Sequence, residues 1–222
     1  MLTVSEQLFE NLCQTKEIPY QRIPEGKTKT PDYELTIDSA NILVEVKQLD
    51  ETDEDRRMYE ALNRGNDTPV VECPSNRVRL QIAAAYRQLK AYYRSGHAAG
   101  IVLYNNAGHL NFIDSWTVTK AMFGDYGYRY GIPATPNASF VGLGAGFMGK
   151  RKVTRNTCRV LSFLSVLTKD SKNNLILEAY HNPFATVHLS PSVLSRLAEK
   201  QFIHYNPHVG TWIYWQPKRL NV

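Results

Sequence analysis

The chain has 222 residues, 43% of them apolar, with three cysteines, a formal net charge of +5 and a pI near 9.0. That length and apolar content call for one folded domain with a real core and exclude a disordered tail. No segment approaches the ~18 apolar residues of a membrane span, and MLTVSEQLFE lacks the start of a secretory signal, so a soluble cytoplasmic protein with no membrane partner is expected.

Residues 5–15 read as a helix with Ser5 as N-cap and Leu8, Phe9, Leu12 and Cys13 on its apolar side. Breaks at Pro19 and Pro24 and a polar loop lead into YELTI, a turn at DSAN, and ILVEV, which together read as a β-hairpin. The acidic run Asp50–Asp55 reads as a solvated loop, with Asp50 or Glu51 within reach of a second cation, followed by a short helix near MYEALNR. Asn76 to Gly96 is the strongest helix signal, rich in helix formers and stopped by glycine. AGIVLYNN then predicts a buried strand, DSWTVTKAMFG a helix, and residues 124–150 a Gly/Tyr/Pro-rich loop. The last third alternates RVLSFLSVL, LILEAY and HNPFATVHL before a helix at PSVLSRLAEKQF and a final apolar VGTWIYW. This order predicts an α/β (α+β) layer fold with a mixed central sheet flanked by helices.

Glu45 and Lys47 lie at the end of an otherwise apolar run, where an unpaired buried charge is unfavourable. If Ile37 pairs with Ile42, Asp32 falls opposite Lys47. Tyr33, Leu35 and Ile37 then share the core face with Ile42, Val44 and Val46, and Asp32, Glu34, Thr36, Leu43, Glu45 and Lys47 share the other. In that register Asp32 and Glu45 are diagonal neighbours roughly 7–8 Å apart, close enough to share one hard cation such as Mg²⁺. A lysine beside them can neutralise charge growing on a phosphoryl group or help activate a water. The opposing interpretation is an ordinary hairpin with a wet polar face.

Pro31-Asp32 followed by Glu45-Val46-Lys47 resembles the PD-(D/E)xK nuclease superfamily, and EAYHNPFA at residues 178–185 is similar to segments of its bacterial members. The resemblance covers about residues 5–105 and implies a restriction-endonuclease-like core. It also implies Asp32, Glu45 and the Val46 carbonyl as ligands of Mg²⁺, which Mn²⁺ would replace, and Lys47 as the catalytic lysine. The superfamily often adds a glutamate from the first helix, here Glu6 in preference to Glu10. A Q-x3-Y pattern after the ExK strand resembles RecB-like and Cas4-like branches and points to Gln88 and Tyr92, ahead of Gln81. Cys13, Cys73 and Cys158 form no CxxC pair or iron–sulfur set and read as reduced structural thiols.

The basic clusters at 77–94 and 150–159 suit a polyanion, with Arg77, Arg79, Tyr92, Lys150, Arg151 and Lys152 as nucleic-acid contacts. The function these features predict is metal-dependent hydrolysis of phosphodiester bonds in nucleic acid, DNA first. The alternatives are a catalytically silent member of the fold that binds nucleic acid or protein, and a hydrolase of smaller phosphate esters. A homodimer is the arrangement that would pair two sites on two strands.

Overall fold

Helix α1 (Val4–Thr15) begins two residues earlier than an N-cap at Ser5 predicts, because Thr3 and Glu6 form a reciprocal capping box. The structure, a computed structural model, describes residues 2–26, 29–65, 74–106, 113–131, 141–206 and 211–215. After α1 come β1 (Tyr20–Arg22), β2 (Tyr33–Ile37), β3 (Ala40–Asp50), α2 (Asp53–Asn63), α3 (Pro74–Tyr92), β4 (Ala98–Asn106), α4 (Ser115–Phe123), β5 (Asp125–Gly131) and β6 (Val141–Met148). The chain continues through β7 (Phe163–Lys169), β8 (Leu175–His181), α5 (Pro191–Leu194), β9 (Lys200–Asn206) and β10 (Thr211–Trp215).

Eight strands form one mixed sheet in the order β1-β2-β3-β4-β7-β8-β9-β10, with β3, β4 and β7 mutually parallel at its centre. The expected mixed α/β fold is therefore present. Strand β3 is buried on both faces, as its near-continuous apolar run requires of a central strand with parallel pairing. Leu43 packs under Val78, Ile82, Ala85 and Leu89 of α3. On the opposite face Tyr33, Leu35, Ile42 and Val44 pack with Phe9, Leu12 and Cys13 of α1. Both faces of the strand are core, as expected of ILVEV read as buried on both sides.

The hairpin register also differs from the predicted one. Asp38 and Ser39 both have positive φ, 46° and 68°, so the turn closes in two residues as a type I′ turn requires, and Ile37 pairs with Ala40 in place of Ile42. The slip is two residues, which leaves every side chain on its predicted face. The acidic run is no loop: Thr52 and Asp55 form a second capping box, and Asp53, Glu54 and Asp55 make the first turn of α2, where the positive end of the helix dipole favours acids.

Residues 125–131 and 141–148 form a separate antiparallel pair where a loop was predicted. Gly124 ends α4 at φ 101°, where any Cβ would strike the carbonyls of Met148 and Gly149. HNPFATVHL is a loop beyond its first residue, and the last predicted helix stops at Leu194, with Lys200 already in β9. Cys13 and Cys158 are buried free thiols, their pKa values pushed up to about 12 and about 11 by burial; Cys73 lies outside the described residues. Among the described residues no helix is long and apolar enough to cross a membrane.

Candidate functional site

Strand β2 begins at Tyr33, paired with Val44, and the preceding Asp32 takes over where the ladder stops. The Asp32 N–H donates to the Val44 carbonyl at 3.1 Å, and its carboxylate Oδ2 accepts the Val46 N–H at 2.7 Å. The side chain thus replaces a strand backbone as partner for β3. This position puts Asp32 across from Glu45, and the predicted diagonal arrangement, with Lys47 opposite Asp32, is corrected by the two-residue turn. The Val46 carbonyl lies on the same side of β3 as its N–H, toward the space beyond the end of β2.

Lys47, two residues on and on the same face as Glu45, places Nζ on Glu45 Oε1 in an ion pair. Its Nζ also lies 3.3 Å from Gln88 Oε1, while Gln88 Nε2 donates to the Thr30 carbonyl at 3.1 Å. Gln88 therefore bridges α3, the lysine and the segment leading to Pro31. Gln81 does not line the site.

Around these groups is a cavity of about 510 Å³ lined by Glu6, Asp32, Val46, Lys47 and Gln88, together with Arg22, Glu25 and Lys29. Glu6 wins over Glu10 on geometry. Its carboxylate reaches the cavity and pairs with Arg22 at 2.8 Å, whereas Glu10 accepts the Tyr33 hydroxyl at 2.8 Å in the α1–β2 interface. Arg22 and Lys29 were missed in the sequence because a three-residue strand and a polar loop carry no periodicity to mark them.

Glu45 is fully buried, and its Oε2 has no hydrogen-bond partner among the described residues. Burial, reinforced by the charge of Asp32, pushes its pKa up to about 7. Asp32 is also pushed above the usual carboxylate range, first by burial and partly offset by the Val46 N–H and Lys47. Two carboxyl groups that resist ionisation side by side are relieved by a cation between them. The donors here, two carboxylates and a carbonyl, suit a hard divalent ion. Among the described residues no three acidic, histidine or cysteine side chains gather closely enough to form an all-protein cage, so an ion held here would keep water ligands. In the present arrangement the Lys47 ammonium provides the countercharge and separates Glu45 from the cavity.

The expected nucleic-acid contacts divide. Arg79 is 4% exposed and binds Asp125 at 2.6 Å, the Lys120 carbonyl at 2.8 Å and Asn76 at 2.6 Å, tying α3 to α4 and β5. Arg77 bonds to the buried Asp55 at 2.9 Å and to the Asp50 carbonyl. Both are internal ties and not the phosphate contacts expected, because a guanidinium enclosed by protein and held on internal acceptors is not presented to a ligand outside. Tyr92 packs at the edge of the α3 core beneath Arg94. Lys150 and Arg151 are exposed and Lys152 half-buried on the turn after β6, and none of these four lines the cavity. His181 is a satisfied core residue, bonded to Gln201 at 2.8 Å.

Comparison of the chain with protein-family models, with curated proteins and with solved structures returns no match.

Proposed function

We propose that this chain is a cytoplasmic metal-dependent nuclease with a restriction-endonuclease-like core, hydrolysing phosphodiester bonds of nucleic acid, DNA first. The observation that carries the reading is the placement of Asp32 across from Glu45, both with raised pKa values, beside Lys47 at a polar cavity. Asp32, Glu45 and the Val46 carbonyl would hold Mg²⁺ or Mn²⁺. Such an ion polarises a phosphoryl oxygen and lowers the pKa of a coordinated water.

The chain's own residues do the rest. Lys47, held on Glu45 at the edge of the cavity, would turn its ammonium to the phosphoryl oxygens, where negative charge grows in the transition state. Gln88 limits the range of that movement, and Arg22 and Lys29 lie where flanking phosphates can be gripped. Glu6 holds Arg22 and adds negative charge at the cavity wall.

One observation favours a silent binding module of the same fold: the Glu45–Lys47 pair closes Glu45 off from the cavity. The two readings separate when labelled single- and double-stranded DNA, linear and circular, are incubated with Mg²⁺, Mn²⁺ or EDTA beside a Lys47→Ala control. Metal-dependent cleavage lost in the control supports the nuclease; intact DNA in every lane with salt-sensitive binding supports the module.

A further inference from the structure

Well away from Asp32, the loop after β6 and the turn after β8 enclose a shallow cleft of about 370 Å³ lined by Arg155, Arg159, Pro183, Phe184 and Ala185. Both arginines are exposed, and neither guanidinium has a hydrogen-bond or ion-pair partner among the described residues. Among the described residues no carboxylate lines the cleft.

The walls are built, not incidental. Asn182 is fully buried and donates to the carbonyls of Cys158 at 3.0 Å and Leu161 at 2.6 Å, while its Oδ1 accepts the Phe184 N–H at 2.8 Å. The Thr186 N–H closes the other side on the Arg159 carbonyl at 2.7 Å. One buried amide therefore fixes the arginine loop and the half-exposed Phe184 ring relative to one another.

We propose that this cleft binds an unpaired segment of nucleic acid, a phosphate lying between the Arg155 and Arg159 guanidiniums and a base stacking on Phe184. Guanidinium forks match phosphate geometry, and an aromatic face beside them takes the base of a single strand. A duplex keeps its base faces inside the stack, so the ring selects unpaired nucleotides. The cleft lies beyond the β7–β8 end of the sheet, where Phe163 pairs with His181 and Ser162 bonds to Ala99. It is two strands across from β3 and displaced along the strand axis, roughly 20 Å from Lys47 by strand spacing and rise. A single strand seated in both places would cross several nucleotides between them. Nucleic acid as the ligand rests on the nuclease reading of the Asp32–Glu45 site.

The test measures binding of a fluorescein-labelled oligothymidylate and of a matched duplex by anisotropy in EDTA, across a salt series. It compares the parent with Arg155→Ala/Arg159→Ala, with Phe184→Leu, which keeps apolar volume in the core, and with Lys172→Ala as a surface control. In parallel, hydrolysis of the p-nitrophenyl ester of thymidine 5′-phosphate with Mn²⁺ reports on the Asp32–Glu45 site alone. The expected result is a tenfold or greater loss of oligothymidylate binding in the double variant, with the salt slope reduced by about 1.4. A loss of roughly tenfold is expected in Phe184→Leu, with ester hydrolysis unchanged in both. Unchanged oligothymidylate binding in both variants overturns the cleft and leaves the nuclease reading to the ester assay. Duplex and single strand weakened alike, with Phe184→Leu silent, overturns the stacking role. Arginine-dependent binding with no ester hydrolysis by the parent supports the cleft and removes the nuclease.

Discussion

Lys47 holds its ammonium on the carboxylate of Glu45, two residues back on the same face of β3, while Asp32 takes the Val46 N–H between them at 2.7 Å. One cation thus serves two acids, one of which is completely buried. Removing Lys47 should separate charge balance from catalysis. Lys47→Ala is expected to lower cleavage by about 10²–10³-fold, the scale of losing one preorganised charge at a transition state. Mn²⁺ binding, followed by calorimetry or paramagnetic resonance, is expected to persist, because the variant removes a competitor for Glu45. Loss of Mn²⁺ binding together with cleavage would make Lys47 a structural support for the acids.

The buried acid also sets a pH dependence of stability. Unfolded, Glu45 titrates near its ordinary 4.5; folded, burial and Asp32 raise it to about 7. Between those values the folded chain binds more protons than the unfolded one. Its contribution is therefore most favourable below about 4.5, declines as pH rises, and flattens above about 7, a swing of roughly 3 kcal/mol. Asp32 acts in the same direction. Thermal melts from pH 5 to 8 should show a flatter profile for Glu45→Gln than for the parent, and Mn²⁺ should raise the parent's melting temperature more at pH 8 than at pH 5. Parallel pH profiles for the two proteins would show that Glu45 titrates normally.

What the sequence made legible follows from which interactions are local. The α3 stripe of Val78, Ile82, Ala85 and Leu89 and the alternation of the β2–β3 hairpin were both readable, because period alone decides which side chains share a face. Asp32, Glu45 and Lys47 came together despite a wrong turn, since a slip of two residues preserves parity. The turn itself was misread because Asp38 and Ser39 adopt left-handed φ without a glycine to announce it. Arg77 and Arg79 looked like free cations because their acids, Asp55 and Asp125, are 22 and 46 residues away. The β5–β6 pair was hidden by glycines that ordinarily weaken a strand. Arg155 and Arg159 belong to the basic cluster at 150–159 and Phe184 to EAYHNPFA, but no local period joins the two segments, for only the Asn182 turn assembles them.

Arg79 supplies a test of that reassignment. Its guanidinium is 5% exposed and binds Asp125, itself 44% exposed, as well as the Lys120 carbonyl. Arg79→Met keeps the aliphatic stem but leaves that carbonyl short of a donor, while the half-exposed Asp125 regains water. The expected loss is about 2 kcal/mol, or a fall of roughly 4–8 °C in melting temperature for a chain of this size. Nucleic-acid binding by the folded variant should keep the parent's salt slope. A slope smaller by about one would restore Arg79 as a phosphate contact.

On the proposed nuclease reading Gln88 would be a positioning residue, since its contact with the charged cluster is to Lys47. Its Oε1 lies 3.3 Å from Nζ and its amide nitrogen is anchored 3.1 Å from the Thr30 carbonyl, so the lysine's range is set jointly by α3 and by the segment before Asp32. Gln88→Met keeps the length of the side chain and its packing along α3 but removes both bonds. Lys47 then retains Glu45 as its partner and loses the contact that aims it toward the cavity. Misorientation of a catalytic group by about an ångström costs up to 10²-fold, so kcat is expected to fall by about 10–100-fold with KM nearly constant. A rise in KM at unchanged kcat would instead place Gln88 against the substrate. Gln88→Glu provides the converse: a second carboxylate on Lys47 should hold the ammonium back and depress kcat further as pH rises, whereas a purely structural role for Gln88 would leave the pH profile of kcat in place.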